Sequence, residues 1–157
     1  PSRVLNNLNR ILTDEIGGAF ITAAYMYLEP QHGRLLLACA GHPPVLLWRK
    51  SSGRLEHLRP KGRIIGYFPN AEFELAVAEN LAPGDRILAF TDGAFELRDS
   101  EDQEMYGIER LAEFLGASGK VSGEEFLPAL DQHLKEWSGN SQDRQDDIAA
   151  ILVELKQ

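Results

Sequence analysis

Apolar side chains recur every fourth residue near the start of the chain, at Val4, Leu8, Leu12 and Ile16, with Leu5 and Ile11 widening the stripe. That spacing predicts an amphipathic helix over residues 2–16, ended by Gly17 and Gly18. The period then changes. Residues 19–28 are rich in aromatic residues, Ile and Thr, and Gln31-His32-Gly33 has the composition of a hairpin turn before a strand over 35–40. Beyond a break at Gly41 to Pro44, strands are expected at Val45–Trp48 and, after a turn at 51–53, at Leu55–Leu58. Further strands are expected at 73–77, 87–91 and 148–155. Two helices interrupt this β-rich half. One covers 108–115. The other opens at Ser122, with Glu125 three residues on as a capping box, and carries an apolar face of Leu127, Leu130, Leu134 and Trp137 before a Gly139 C-cap. The order helix, five or six strands, two helices, strand reads as an α+β fold with a sheet-rich core.

Composition narrows the class. A chain of 157 residues is one domain's worth and buries roughly 70% of its extended surface on folding. Sixteen basic against 24 acidic residues leave a net charge of -8, which disfavours non-specific binding to nucleic acid or anionic membrane. The strongest local exception is the short alternation Arg59, Lys61, Arg63. A single cysteine, Cys39, forbids an internal disulfide and predicts a reducing, cytoplasmic compartment. No apolar run approaches 18 residues, so no membrane insertion is expected, and the spaced N-terminal apolar residues are not those of a signal peptide.

Some chemical motifs fail on inspection. The stretch Gly116-Ala-Ser-Gly-Lys-Val-Ser-Gly123 has Phe114 where a phosphate loop needs its first glycine and Val121 where it needs a hydroxyl, so it reads as a loop between helices. There is no nucleophile elbow and no Cys/His pattern with metal spacing. His32, His57 and His133 read as surface or partly packed residues. The acidic run 99–104 fits no EF-hand and reads as a solvated loop.

Three places remain. Pro83-Gly84-Asp85 launches an apolar strand that stops at Thr91-Asp92-Gly93. Asp92 at a strand end, with Gly93 allowing close backbone approach, is either a rim carboxylate or an ordinary Asp-Gly turn. Asp146-Asp147 precedes the last strand, and adjacent carboxylates repel unless a cation relieves them; a plain polar lead into the strand is the alternative. If those two strands are neighbours, hard oxygen donors meet at one rim and suit Mg²⁺ or Mn²⁺. The third place is the stiff corner Ala40-Gly41-His42-Pro43-Pro44, a structural corner or a functional imidazole.

Together these marks resemble the bacterial SpoIIE-type serine/threonine phosphatases of the metal-dependent protein phosphatase superfamily. They run in order along nearly the whole chain: Phe20-Ile-Thr-Ala-Ala-Tyr25, Ala40-Gly-His-Pro-Pro44, Ile65-Gly66, Pro83-Gly-Asp85, Thr91-Asp-Gly93 with Glu96, Tyr106-Gly107 and Asp146-Asp147. The resemblance implies a β-sandwich flanked by helices (αββα) with a two-metal site at one edge. It implies hydrolysis of phosphoserine or phosphothreonine with two Mn²⁺ or Mg²⁺ ions. It also implies an anti-anti-sigma-type phosphoprotein substrate, an upstream sensory or receiver domain, and an oligomeric state left open, homodimer included. Asp92 matches one metal ligand and Asp146 the late one, ahead of its neighbour Asp147. Gly93 gives backbone approach beside them, and His42 is a candidate for orienting substrate or donating a proton.

The departure is as specific. The family's first ligand aspartate, in a Gly-Asp and Ser-Gly-His/Lys-Gly region, has no counterpart here, and neither do the strands that carry it. Residues 1–157 are therefore expected to be the C-terminal part of a single phosphatase domain, inactive alone and with an unpaired sheet edge. Ala149 stands where members often carry Thr, a change of no consequence for the metals. The rival reading is a catalytically inert phosphoprotein-binding module in a partner-switching pathway.

Overall fold

The computed structural model describes residues 1–99, 101, 104–139 and 146–156. In chain order the elements are α1 (Ser2–Leu12), β1 (Ala23–Glu29), β2 (Arg34–Ala40), β3 (Val45–Trp48), β4 (Leu55–Leu58), β5 (Ala76–Ala78), β6 (Arg86–Phe90), α2 (Gly107–Ala117), α3 (Gly123–Trp137) and β7 (Ala150–Glu154). The class is α+β, as the pattern predicts. The chain divides into two compact units, residues 1–45 with 57–82 and residues 46–56 with 83–157.

The first unit holds an antiparallel sheet in the order β1-β2-β5. Its hairpin turns where the sequence places it: Pro30–His32 form a 3-10 turn and Gly33 takes the left-handed conformation at φ 56°, which glycine adopts without a Cβ penalty. Leu5, Ala38, Ala40, Ile65 and Phe73 form the core. The opening helix departs from expectation in length and in face. It ends at Leu12, four residues early, where the Thr13 hydroxyl bonds back to the Asn9 carbonyl at 2.7 Å and competes with continued helix. Leu8 and Ile11, part of the predicted stripe, are 40% and 57% exposed, whereas Leu5 and Asn9 are buried. The Asn9 amide donates to the Phe68 carbonyl at 2.8 Å and accepts from the Gly66 N–H at 2.9 Å. A polar side chain thus occupies the core-facing position because two backbone groups need it. The strand expected over 19–28 shortens to β1, with Ile21 making an isolated bridge to Ile65. The one expected over 73–77 shifts to β5, with Phe73 bridged to Gly62.

The second unit is a sheet in the order β4-β3-β6-β7, with β6 antiparallel to both β3 and β7. All five β6 residues are buried, which is why its sequence is a continuous apolar run after Arg86 rather than an alternation. Leu46, Trp48, Leu88 and Phe90 pack with Leu111 and Leu115 of α2 and Phe126, Leu130 and Leu134 of α3. The α3 cap forms as predicted at Ser122, whose hydroxyl oxygen accepts from the Glu125 N–H at 3.2 Å. The return half differs: Glu125 meets the Ser122 hydroxyl at 2.8 Å instead of the backbone. The buried face is also turned by a residue, with Phe126 inside and Leu127 and Trp137 only half-buried. Gly139, at φ 65°, follows the Ser138 cap. Among the described residues no helix is long and apolar enough to cross a membrane.

Two buried ionic groups bracket the start of β6. Asp85, 1% exposed, accepts from the Lys50 N–H at 2.9 Å and faces the Arg49 guanidinium at 3.4 Å. Arg86, 3% exposed, places Nε and a terminal nitrogen on Glu154 Oε2 at 2.7 and 2.6 Å. It also donates to the carbonyls of Ser118, at 2.8 Å, and Val121.

Candidate functional site

The β6–β7 ladder decides where the acidic residues go. Its register runs from Arg86 opposite Glu154 to Phe90 opposite Ala150. One step further, the Thr91 N–H donates to the Ala149 carbonyl at 2.9 Å. The strand ending at Asp92 and the strand beginning after Asp146-Asp147 are therefore neighbours, as the sequence required for a shared rim.

Thr91 fastens the two chain segments at that rim. Its hydroxyl oxygen accepts from the Ala149 N–H at 2.9 Å and donates to the Asp147 carbonyl at 3.1 Å. Past Thr91 the backbone leaves the extended conformation and folds into a 3-10 turn, Asp92–Ala94. Asp92 Oδ1 accepts the Gly93 N–H at 3.0 Å, so one carboxylate oxygen is oriented by its own turn. Gly93 is buried against the opposite segment: a Cβ there would stand 2.6 Å from the Asp147 carbonyl oxygen and 3.1 Å from that of Asp146. Glycine is required here for close approach, on the Asp146-Asp147 backbone. Asp92, Asp146 and Asp147 are all exposed, so each carboxylate stays hydrated and available to a cation.

Tyr106-Gly107 acts on the same turn. Leu97 and Phe95 carbonyls accept the N–H groups of Tyr106 and Gly107 at 2.7 and 2.8 Å, and Phe95 meets Phe90 edge-on, 6.0 Å between ring centroids. The excursion that follows Asp92 is thus tied back before α2 begins. Burial pushes the Tyr106 phenol up to about 12, marking it as a packing group. In the sequence, Tyr106-Gly107 stands out only through the family resemblance, and Thr91 carries no role of its own. The signal for Thr91 was its position, a hydroxyl at the last ladder step before Asp-Gly.

His42 belongs to the first unit. Its Nδ1 lies 2.8 Å from the Pro43 carbonyl. A carbonyl only accepts, so Nδ1 is the donor in this contact. Gly41, at φ 59°, turns this corner, and a Cβ on it would meet Ile64 Cγ2 at 2.5 Å. His32 sits in the 3-10 turn of the first hairpin. His133 stacks on Phe114 at 4.7 Å, the partly packed role expected of it. The glycine-rich stretch 116–123 is the end of α2, a 3-10 turn and a loop, also as expected. Of the acidic run, residues 100, 102 and 103 lie outside the described residues; Asp99 and Glu104 close it with a backbone bond of 2.9 Å.

The donor chemistry at the rim fits a hard divalent cation: carboxylates on two adjacent segments, with no soft ligand. Among the described residues, no three His, Cys, Asp or Glu side chains cluster tightly enough to hold a metal ion.

The Stage II sporulation protein E (SpoIIE) family model matches residues 1–156. No curated protein sequence matches the chain. Among solved structures, the SiaA-PP2C domain of Pseudomonas aeruginosa is similar at TM-score 0.85 and 19% identity, over 99% of this chain and 61% of that one. The phosphatase domain of the cell fate determinant SpoIIE from Bacillus subtilis, presoaked with Mn, is similar at TM-score 0.69 and 17% identity, over 99% and 67%. RsbX in complex with magnesium is similar at TM-score 0.69 and 16% identity, over 98% and 64%. The chain thus has the fold of these domains while spanning about two thirds of their length or less.

Proposed function

The chain belongs to the SpoIIE family, and we propose that the protein containing it hydrolyses phosphoserine or phosphothreonine on a regulatory protein with two Mn²⁺ or Mg²⁺ ions. Both compact units are then parts of one phosphatase domain, with 1–157 its C-terminal portion. The observation that carries the reading is the rim itself: Asp92 and Asp146-Asp147 lie on adjacent antiparallel segments pinned by Thr91 and by the close approach of Gly93. The likeness to a Mn-presoaked SpoIIE phosphatase domain and to RsbX in complex with magnesium supports the choice of ion.

In this reading Asp92 and Asp146 hold the metals, with Asp147 the alternative to Asp146. Ions held there would acidify a bound water and neutralise charge on the phosphoryl oxygens. The chain's own residues do the positioning. Thr91 fixes the spacing of the two segments, Gly93 keeps them in contact, and the Asp92 turn presents its carboxylate with one oxygen already oriented. Charged, preorganised ligands of this kind act by electrostatic stabilisation more than by covalent chemistry. The substrate is an anti-anti-sigma-type phosphoprotein in a cytoplasmic signalling pathway.

The test is Asp92→Asn in the intact protein, which keeps the side-chain shape and removes the charge. Turnover of a phosphoserine peptide with Mn²⁺ should fall at least about 100-fold while the circular dichroism spectrum is retained. Near-normal turnover at saturating Mn²⁺ would make Asp92 a turn residue only.

A further inference from the structure

A second feature of the first unit is not used by the rim chemistry. After β4 the chain alternates outward cations with inward packing residues: Arg59, Lys61 and Arg63 are exposed, Pro60 is buried and Gly62 half-buried. The run is anchored by backbone contacts. A Cβ on Gly62 would lie 1.9 Å from the Cys39 carbonyl oxygen, and Gly62 bridges Phe73 in antiparallel fashion. Lys61 exchanges two bonds with Glu74, its carbonyl accepting the Glu74 N–H at 2.8 Å and its N–H donating to the carboxylate at 3.1 Å. Among the described residues no carboxylate comes within ion-pairing distance of the Arg59, Lys61 or Arg63 side chains. Beside the run opens a cleft of about 610 Å³, lined by Lys61, Arg63, Phe68, Glu72 and Glu74 among others. The Arg63 guanidinium lies over the Phe68 ring at 4.4 Å, a cation–π contact that seats it beside the cleft while it keeps its charge.

We propose that this strip and cleft dock an extended acidic segment of the phosphoprotein substrate, a proposal that rests on the function proposed above. Cations two residues apart on extended backbone are about 7 Å apart, the same repeat as alternate side chains of an extended peptide. Acidic residues at alternate positions therefore match Arg59, Lys61 and Arg63 in register. On a chain of net charge -8, three cations at alternate positions, with no ion-pair partner among the described residues, are a local exception that steers an acidic segment to one place. Glu74 is occupied by Lys61, and Glu72 is the carboxylate that opposes an anion in the cleft.

The probe is a fluorescein-labelled peptide with glutamates at three alternate positions, titrated against the 157-residue chain at low salt and read by anisotropy. Neither metal nor turnover enters this readout, so loss of the phosphatase reading and loss of docking are distinguishable. Replacing Arg59, Lys61 and Arg63 together by Ser should weaken binding at least about ten-fold, whereas the charge-matched control Arg3→Ser, Arg10→Ser, Arg54→Ser should change it less than about two-fold. Glu72→Gln should tighten binding. Circular dichroism checks the fold of each variant, and single substitutions at Lys61 or Arg63 replace the triple if it fails to fold. Equal losses in strip and control variants, no saturable binding, or tighter binding of a ten-residue oligothymidylate than of the peptide would each overturn the proposal.

Discussion

Gly93 lies so close to Asp147 that a Cβ added to it would sit 2.6 Å from the Asp147 carbonyl oxygen. The same oxygen already accepts the Thr91 hydroxyl at 3.1 Å. Backbone cannot yield as a flexible side chain can, so Gly93→Ala must push the 146–147 segment away or distort the Asp92 turn. Overpacking of this kind costs about 1–3 kcal/mol. The expected outcome is a lower denaturation midpoint, with amide chemical-shift changes concentrated at 91–93 and 146–149. A wild-type midpoint with unchanged shifts would show that the two segments do not meet.

The isolated chain should bind Mn²⁺ weakly. Its rim brings exposed carboxylates to adjacent segments, but the described residues hold no three-ligand cluster. Dissociation in the millimolar range, roughly 4 kcal/mol, is expected by titration calorimetry. Phosphate release from a phosphopeptide should be negligible. Two micromolar Mn²⁺ sites with turnover would mean that other carboxylates complete the sphere, Glu96 and Asp99 being the first to examine.

How much of this was legible beforehand follows from the range of the interactions. Helix and strand periods report local burial, so every element among the described residues overlaps the segment where hydrophobic spacing puts it. Boundaries are less legible: α1 ends four residues early, β1 starts four residues late, and β5, a three-residue edge strand, carries too little pattern to fix its limits. The rim was legible because Asp-Gly and Asp-Asp sit at strand ends, and strand ends are readable from the sequence. Asn9 and Arg86 were not. Each spans a long sequence separation to reach backbone carbonyls, Asn9 to Phe68 and Arg86 to Ser118, and no local period encodes such a partner. Asn9 in fact sits where the helical stripe predicts an apolar neighbour, and the early end of α1 comes from the Thr13 hydroxyl bond to its carbonyl.

Arg86 offers a sharp test of that long-range bonding. Its guanidinium serves Glu154 and two loop carbonyls at once, and lies 5.7 Å from the Trp48 ring centroid. A lysine keeps the charge but cannot present donors in that fork. Arg86→Lys should therefore cost about 2–4 kcal/mol, because the carbonyls of Ser118 and Val121 lose their buried donor and Glu154 keeps only part of its pairing. Chemical denaturation checks the loss. A cost below about 0.5 kcal/mol, the size of an ordinary surface substitution, would show that water replaces the guanidinium freely.

Cys39 gives the first unit a pH signature. It is 2% exposed on β2, and burial raises its thiol from 9.0 to about 11. In the unfolded chain the thiol loses its proton near pH 9, whereas the folded chain holds it until about pH 11. Between those values the unfolded state binds fewer protons, so stability falls as pH rises. The contribution is fully present below pH 9 and is lost on passing pH 11, a change of about 2–3 kcal/mol. Tyr106, raised from 10.0 to about 12 by burial, adds a similar slope in the second unit at higher pH. The variant Cys39→Ala separates the two, because it should abolish the dependence between pH 9 and 10 and leave the later one. As the only thiol in the chain, Cys39 also reports opening of the first unit directly. At pH 8 it should react with a disulfide reagent at least about 100-fold more slowly in the folded protein than in denaturant, since a buried protonated thiol is inert. Equal rates in the two conditions would place Cys39 at the surface and remove the cause of its raised pKa.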